Sequence, residues 1–237
     1  KRQSDLFDFY SQPQGGTVML SRIYKTVSVL PEKPKKRKPE VGAVMVSKRK
    51  GEVCGDGWSL QESGGATYIL AMDGLGHGLA AHEASKLAVG TFSRSNKEQV
   101  TDRLLEIHAA IKPTRGGVGA VARIGTGKPA FSYFGIGNIS ARIFGLNDGG
   151  SLEVTKNLIS FNGTLGHIIP AIFQEQPADW QAGNLLVMHS DGLRTLKDLK
   201  RYPKLNLHHA SLIAAVLFRD FNRGTDDALV IVAKAKT

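Results

Sequence analysis

Cysteine is almost missing from this chain of 237 residues; Cys54 stands alone. One thiol excludes an internal disulfide framework and a cysteine-built zinc site. No apolar run approaches the ~18–20 residues of a membrane span, and no signal peptide is visible at the start. A soluble, cytoplasmic protein is therefore expected. No repeat emerges at any fixed period. No two histidines sit at metal spacing: His82-Glu83 opens a zincin motif, but position 86 holds Lys86 where the second histidine should be. The glycine string Gly74-Leu-Gly76-His-Gly78 lacks the Lys-Ser/Thr of a Walker loop and the spacing of a dinucleotide loop. Neither a Ser-His-Asp nor a Cys-Arg arrangement suggests a protein nucleophile.

What remains is an ordinary globular composition, 41% apolar and 22% charged, with room for one large domain or two small ones. The formal charge of +10 is unevenly spread. Residues 1–50 hold twelve Lys/Arg against four Asp/Glu, and the remaining residues hold nineteen against seventeen. Five of the cations crowd into Pro31-Glu-Lys-Pro-Lys-Lys-Arg-Lys-Pro39. Such a run suits a self-repelling linker held extended by prolines, and we expect a linker over 26–40. A nucleic-acid contact through residues 33–38 is the weaker reading.

Ahead of the linker, Leu6–Tyr10 and Thr17–Ile23 read as a hairpin across a Gly-rich turn. A lone hairpin is marginal in water, so it must lean on a neighbour. From Val41 onward the pattern predicts strands at Val41–Ser47 and Thr67–Met72, then helices over Ala80–Phe92 and Glu98–Ile111. Strands follow at Gly117–Ile124, Ala130–Gly135, Ile139–Leu146, Leu152–Val154 and Leu185–His189, then a helix at Ala210–Phe218 and a strand at Ala228–Lys234. Helices grouped together, not alternating with strands, argue for antiparallel sheets with helices laid outside.

Four places put Asp beside Gly or another Asp at or near strand ends: Gly55-Asp56-Gly57, Asp73-Gly74, Ser190-Asp191-Gly192 and Thr225-Asp226-Asp227. One Asp-Gly is usually a turn. Carboxylates beside buried strands, however, cost several kcal/mol unless something neutralises them. Carboxylates without thiols or paired imidazoles form a hard oxygen site, suited to Mg²⁺ or Mn²⁺. The helix after Gly78 offers N–H groups to an anion.

Taken in order and spacing, GD at 55–56, DGLGHG at 73–78, SDGL at 190–193 and TDDALV at 225–230 resemble the bacterial SpoIIE/RsbX-type serine phosphatases of the metal-dependent PPM (type 2C) superfamily. The likeness runs through Arg115-Gly-Gly-Val, Gly135-Ile-Gly-Asn138 and Asn162-Gly-Thr164 and covers about residues 40–236. It implies an α+β fold, a four-layer αββα sandwich of two antiparallel sheets flanked by helices. It also implies two divalent cations, Mn²⁺ or Mg²⁺. Asp73 would bridge them, with the Gly74 carbonyl on one, Asp191 and Asp226 completing the other, and Asp56 holding the second ion directly or through water. The resemblance favours Asp226 over Asp227, since the first residue of the family's Asp-Asp or Asp-Asn pair is the ligand; if 226–230 is a strand, the two side chains point to opposite faces and cannot both be ligands equally well. The implied reaction is hydrolysis of a phosphoserine or phosphothreonine by a two-metal-activated water. The implied partner is a phosphorylated STAS-domain anti-sigma antagonist or stressosome protein, with no membrane. A catalytically silent PPM-fold binding module is the alternative.

The departures are specific. Cys54-Gly-Asp-Gly-Trp58 lacks the phosphate-holding arginine of the eukaryotic enzymes, and Leu75 sits where they carry a histidine. Residues 1–25 resemble the closing hairpin of a GHKL-type anti-sigma ATPase domain without its nucleotide boxes, so the phosphatase-like domain is expected over 41–237 and an ATPase region upstream. Blander expectations attach to single residues: Cys54 a buried thiol, Trp58 a core residue, His77 a loop residue, Arg115 a surface residue. The loop of Asn162, Thr164 and His167 is not expected to border the site.

Overall fold

The computed structural model describes residues 4–24, 38–125, 128–171 and 173–235. Most of the expected linker, 26–37, lies outside the described residues. Two antiparallel sheets carry the fold. The first is assembled from β4 (Asp56–Ser63), β5 (Ala66–Gly74), β6 (Gly117–Ile124), β7 (Phe131–Ile136) and β10 (Gln176–Ala178), in the spatial order β10-β7-β6-β5-β4. The second runs β3-β12-β11-β8-β9, built from β3 (Glu40–Val46), β8 (Ser140–Leu146), β9 (Leu152–Leu158), β11 (Leu185–His189) and β12 (Ala228–Lys234).

Side-chain alternation sorts the strands into layers. From β5, Ile69 and Ala71 join Leu186 and Met188 of β11 and Leu229 and Ile231 of β12 in a core between the sheets. The opposite face of β5, with Tyr68, Leu70 and Met72, packs under α1 (Leu79–Arg94) and α2 (Val100–Ala110). The outer face of β12, with Val230 and Val232, packs under α3 (Ala210–Phe221). The result is a four-layer αββα sandwich, the architecture expected from the sequence. Trp58 packs against the inter-sheet core, as expected. Among the described residues no helix is long and apolar enough to cross a membrane.

Strand β4 escaped the sequence reading. Trp58-Ser-Leu-Gln-Glu-Ser is largely polar because β4 is an edge strand, and its Leu60 is exposed. The three-residue β10 and the longer reach of β9 were missed for the same reason, since edge strands carry a weak apolar signal.

The hairpin, β1 (Leu6–Gln12) and β2 (Gly16–Arg22), leans on α3. Its inner face puts Tyr10, Val18 and Leu20 into the α3 core. Asp8 accepts from His208 Nδ1 at 2.8 Å and from the His209 N–H at 2.9 Å. Arg219 donates to the Gly16 carbonyl at 3.0 Å and to Gln12 Oε1 at 2.8 Å.

α3 and its sheet approach tightly at Gly42 of β3, where a Cβ would collide with the Ser211 backbone. Overpacking against backbone cannot relax by rotamer change. Gly42→Ala is expected to cost about 1–3 kcal/mol, read as a lower denaturant midpoint at unchanged m-value; a wild-type midpoint would contradict this packing.

Candidate metal centre

The register of the β4–β5 pair sets Asp56 directly opposite Asp73. Cross-strand neighbours stand about 4.5–5.5 Å apart at Cβ, and like charges there repel. Both side chains share the parity of Trp58, Ile69 and Ala71, so they face into the seam between the sheets at its open end. Asp56 is 2% exposed. Burial, then the charges of Asp227, Asp191 and Asp226, push its pKa up to about 7, against a lowering hydrogen bond from Ser190. Burial and the charge of Asp56, followed by those of Asp191, Asp226 and Asp227, push Asp73 up to about 8.

The other sheet meets this pair. Ser190, following β11, donates from Oγ to Asp56 Oδ2 at 2.7 Å and accepts the Leu229 N–H at 2.9 Å. Asp191, Asp226 and Asp73 line one cleft of about 140 Å³ with Leu75, Gly76, Val118 and Asn138. Asn138 donates to Asp191 Oδ2 at 3.0 Å. Asp226 Oδ1 accepts the Asp227 N–H at 2.9 Å. Asp227 turns away and spends both oxygens on backbone, accepting the Lys48 N–H and the Gly55 N–H, each at 2.6 Å. Adjacent aspartates thus have different jobs: Asp226 faces the cleft, and Asp227 ties the two sheets together. Gly74 is buried under α1, where a Cβ would collide with the Ala81 carbonyl.

Divalent cations fit this site. Asp56 Oδ1 is buried and has no hydrogen-bond partner, a costly state for an anionic oxygen that a cation would relieve. All the donors are hard oxygens, as Mg²⁺ or Mn²⁺ prefers. Among the described residues, no three carboxylate, imidazole or thiol side chains are already converged on one point. Carboxylates repel, and Asp191 and Asp226 are drawn to their own hydrogen-bond donors.

Solved structures share this arrangement of layers. One comes from the bacterial stressosome, a modular system adapted to control secondary messenger signalling; it is 26% identical, covers 83% of this chain and 100% of its own, and has a TM-score of 0.71. RsbX in complex with magnesium is 18% identical over 85% of this chain and 97% of its own, with a TM-score of 0.70. The PP2C phosphatase domain of SpoIIE from Bacillus subtilis, solved with part of its regulatory domain, is 21% identical over 84% of this chain and 64% of that one, with a TM-score of 0.60. The chain has the PPM phosphatase fold. By sequence alone, no family model and no curated protein matches.

Within this PPM fold, Asp56, Asp73, Asp191 and Asp226 gather at one end of the sandwich from four separate strand ends. Three supporting residues were not singled out from sequence. Ser190 and Asn138 hold carboxylates, and their motifs, SDGL and GIGN, were visible without their roles. Asp227 was set aside as a ligand, yet its bonds to Gly55 and Lys48 had no sequence signal. The 162–167 loop pairs with the start of β6 through Leu165 and Gly117, and His167 Nε2 lies 2.9 Å from the Arg115 carbonyl. Cys54, half-buried and pushed up to about 12 by burial and then by Asp56, stays a protonated thiol.

The raised carboxylates predict a pH slope. Their folded pKa values, about 7 and about 8, exceed the ordinary aspartate value of 3.8. The folded state therefore binds the extra protons, and stability present at low pH is lost as pH rises through those values. In chelator, the melting temperature is expected to fall between pH 5.5 and 8.5, with a flatter slope in Asp73→Asn and recovery on adding Mg²⁺ at pH 8. A melting temperature that rises with pH in chelator would contradict it.

Proposed function

We propose that this protein is a divalent-cation-dependent protein phosphatase that hydrolyses phosphoserine or phosphothreonine on a regulatory partner protein. One observation carries the reading: Asp56 and Asp73 face each other across a strand pair at the mouth of the inter-sheet seam, with Asp191 and Asp226 beside them and one buried oxygen unpartnered. Such a cluster is costly without a cation and useful with one.

Asp56, Asp73, Asp191 and Asp226 are the side chains that would hold the ions, two Mn²⁺ or Mg²⁺ by resemblance, with the Gly74 carbonyl as a further oxygen. When bound, the cations supply an activated water and offset charge on the phosphoryl oxygens. The protein's own part is positional. Ser190 and the β4–β5 register fix Asp56, Asn138 fixes Asp191, and the Asp227 bonds hold the two sheets in alignment beneath them. First-turn N–H groups of α1, which carries no acidic side chain in that turn, begin at the end of the same loop.

The partner class rests on the fold's company. Stressosome and RsbX structures share it, which supports a phosphorylated STAS-domain-type regulator as substrate. The hairpin seated on α3 is read as the close of an upstream GHKL-like unit, residues 1–25, joined through 26–40 to the phosphatase unit at 41–237.

Hydrolysis of p-nitrophenyl phosphate and of a phosphoserine-bearing STAS protein should require Mn²⁺ or Mg²⁺. Asp73→Asn and Asp191→Asn should each lose most of the turnover, on the order of 100-fold. Full activity in both variants would refute the assignment. Cation binding and phosphoprotein binding without turnover would support the silent-module alternative.

A further inference from the structure

Three carboxylates line the cleft, Asp73, Asp191 and Asp226, with Asp56 buried beside them, and none of the four aspartate motifs supplies a cation to receive the phosphate of a substrate. The first motif, Cys54-Gly-Asp-Gly-Trp58, contains no arginine. From the geometry at the cleft's rim we infer that Arg115 is that missing group: the residue that contacts the phosphoryl oxygens and sets affinity for the phosphorylated substrate. This rests on the phosphatase reading above and adds to it a substrate-contacting residue from a different segment of the chain.

Three observations converge on Arg115. Its guanidinium lies against the cleft wall, since a methyl added to Gly76 would stand 3.3 Å from Arg115 Nη1. Gly76 lines the cleft together with Asp73, Asn138, Asp191 and Asp226. The arginine's backbone is fixed from several sides. Its carbonyl is bonded by His167, the next carbonyl accepts the Leu75 N–H at 3.1 Å, and Gly117 exchanges bonds with Leu165. Gly116 sits at φ 73°, and a Cβ there would run into the Leu165 carbonyl, so the turn has no room to shift. Finally, the side chain is free to act: among the described residues, Arg115 has no carboxylate within 4.0 Å and donates no side-chain hydrogen bond.

The nearest rival is engaged. Arg223 donates from Nη1 to the Asp191 carbonyl at 3.2 Å and thereby steadies the loop that carries Asp191. An uncommitted guanidinium on a fixed backbone beside an acidic cleft has the planar donor fork that matches phosphate oxygens. The Asn162–His167 loop gains a purpose as well, as the buttress that aims this arginine.

The test is equilibrium binding of inorganic phosphate to the Mg²⁺-saturated full chain by calorimetry, with Mg²⁺ affinity measured separately. Loss of a charge-assisted contact predicts phosphate affinity lower by about 10- to 100-fold in Arg115→Ala. Partial recovery is expected in Arg115→Lys, with Mg²⁺ affinity unchanged in both. Steady-state kinetics should show the loss mainly in KM for p-nitrophenyl phosphate. Wild-type phosphate affinity in Arg115→Ala, no phosphate binding by the wild-type protein, or an equal loss of Mg²⁺ affinity would each overturn the assignment. Hydrolysis that still depends on Asp73 in any of those cases leaves the phosphatase reading standing, so the two fail separately.

Discussion

Two carboxylates held opposite each other where β4 meets β5 are the constraint around which this molecule is arranged. Nothing local favours that pairing. Like charges across a strand pair repel, and burial raises the cost further. The pairing persists because β5 cannot move: it is buried on both faces from Ala66 to Met72, and a one-residue slip would send Ile69 and Ala71 toward the helices and Leu70 toward the seam. The core therefore imposes the register, and the register imposes the charge pair.

The second sheet completes what the first begins. Ser190 follows the inward-facing parity of Leu186 and Met188 and so arrives beneath Asp56. Asp227 reaches back across the seam to the Gly55 N–H. These contacts join the strand ends at the mouth of the seam. Behind them, the loop bearing Asp191 and the segment leaving α3 are tied by backbone bonds: Arg223 N–H to the Gly192 carbonyl, and Arg194 N–H to the Phe221 carbonyl. The hairpin holds the same helix from outside through Arg219. The site is therefore the meeting point of both sheets and of α3, and its geometry depends on all three.

Much of this was legible in the sequence, for identifiable reasons. Strands buried on both faces, such as Thr67–Met72 and Ala228–Lys234, announce themselves as unbroken apolar runs, and the Asp-Gly pairs mark where those runs stop. The order of four such marks identified a fold that periodicity could not have reached alone. What stayed hidden depends on partners distant in the chain. β4 is polar because one edge of it meets solvent, so the strand that carries Asp56 did not look like a strand. Arg103, for which the sequence reading held no expectation, is buried with its guanidinium 3.8 Å over the Tyr68 ring. The roles of Ser190, Asn138 and Asp227 are set by carboxylate hydrogen bonds spanning 53 to 179 residues of chain.

The adjacent aspartates at 226 and 227 show how the two demands on the seam are reconciled. An open acidic cleft leaves carboxylate oxygens uncommitted, and a stable seam needs committed ones. The bend that precedes β12 lets neighbouring residues serve both needs, Asp226 Oδ1 accepting the Asp227 N–H there while Asp227 reaches the other way. Asp227 satisfies the buried Gly55 N–H and the Lys48 N–H just past the end of β3, and its charge is spread into those bonds. Asp226 keeps an oxygen toward the cleft and adds to the negative field felt by Asp56 and Asp73. That field raises proton affinity and cation affinity together. Near neutral pH the protonation of these oxygens therefore couples directly to the stability of the sandwich.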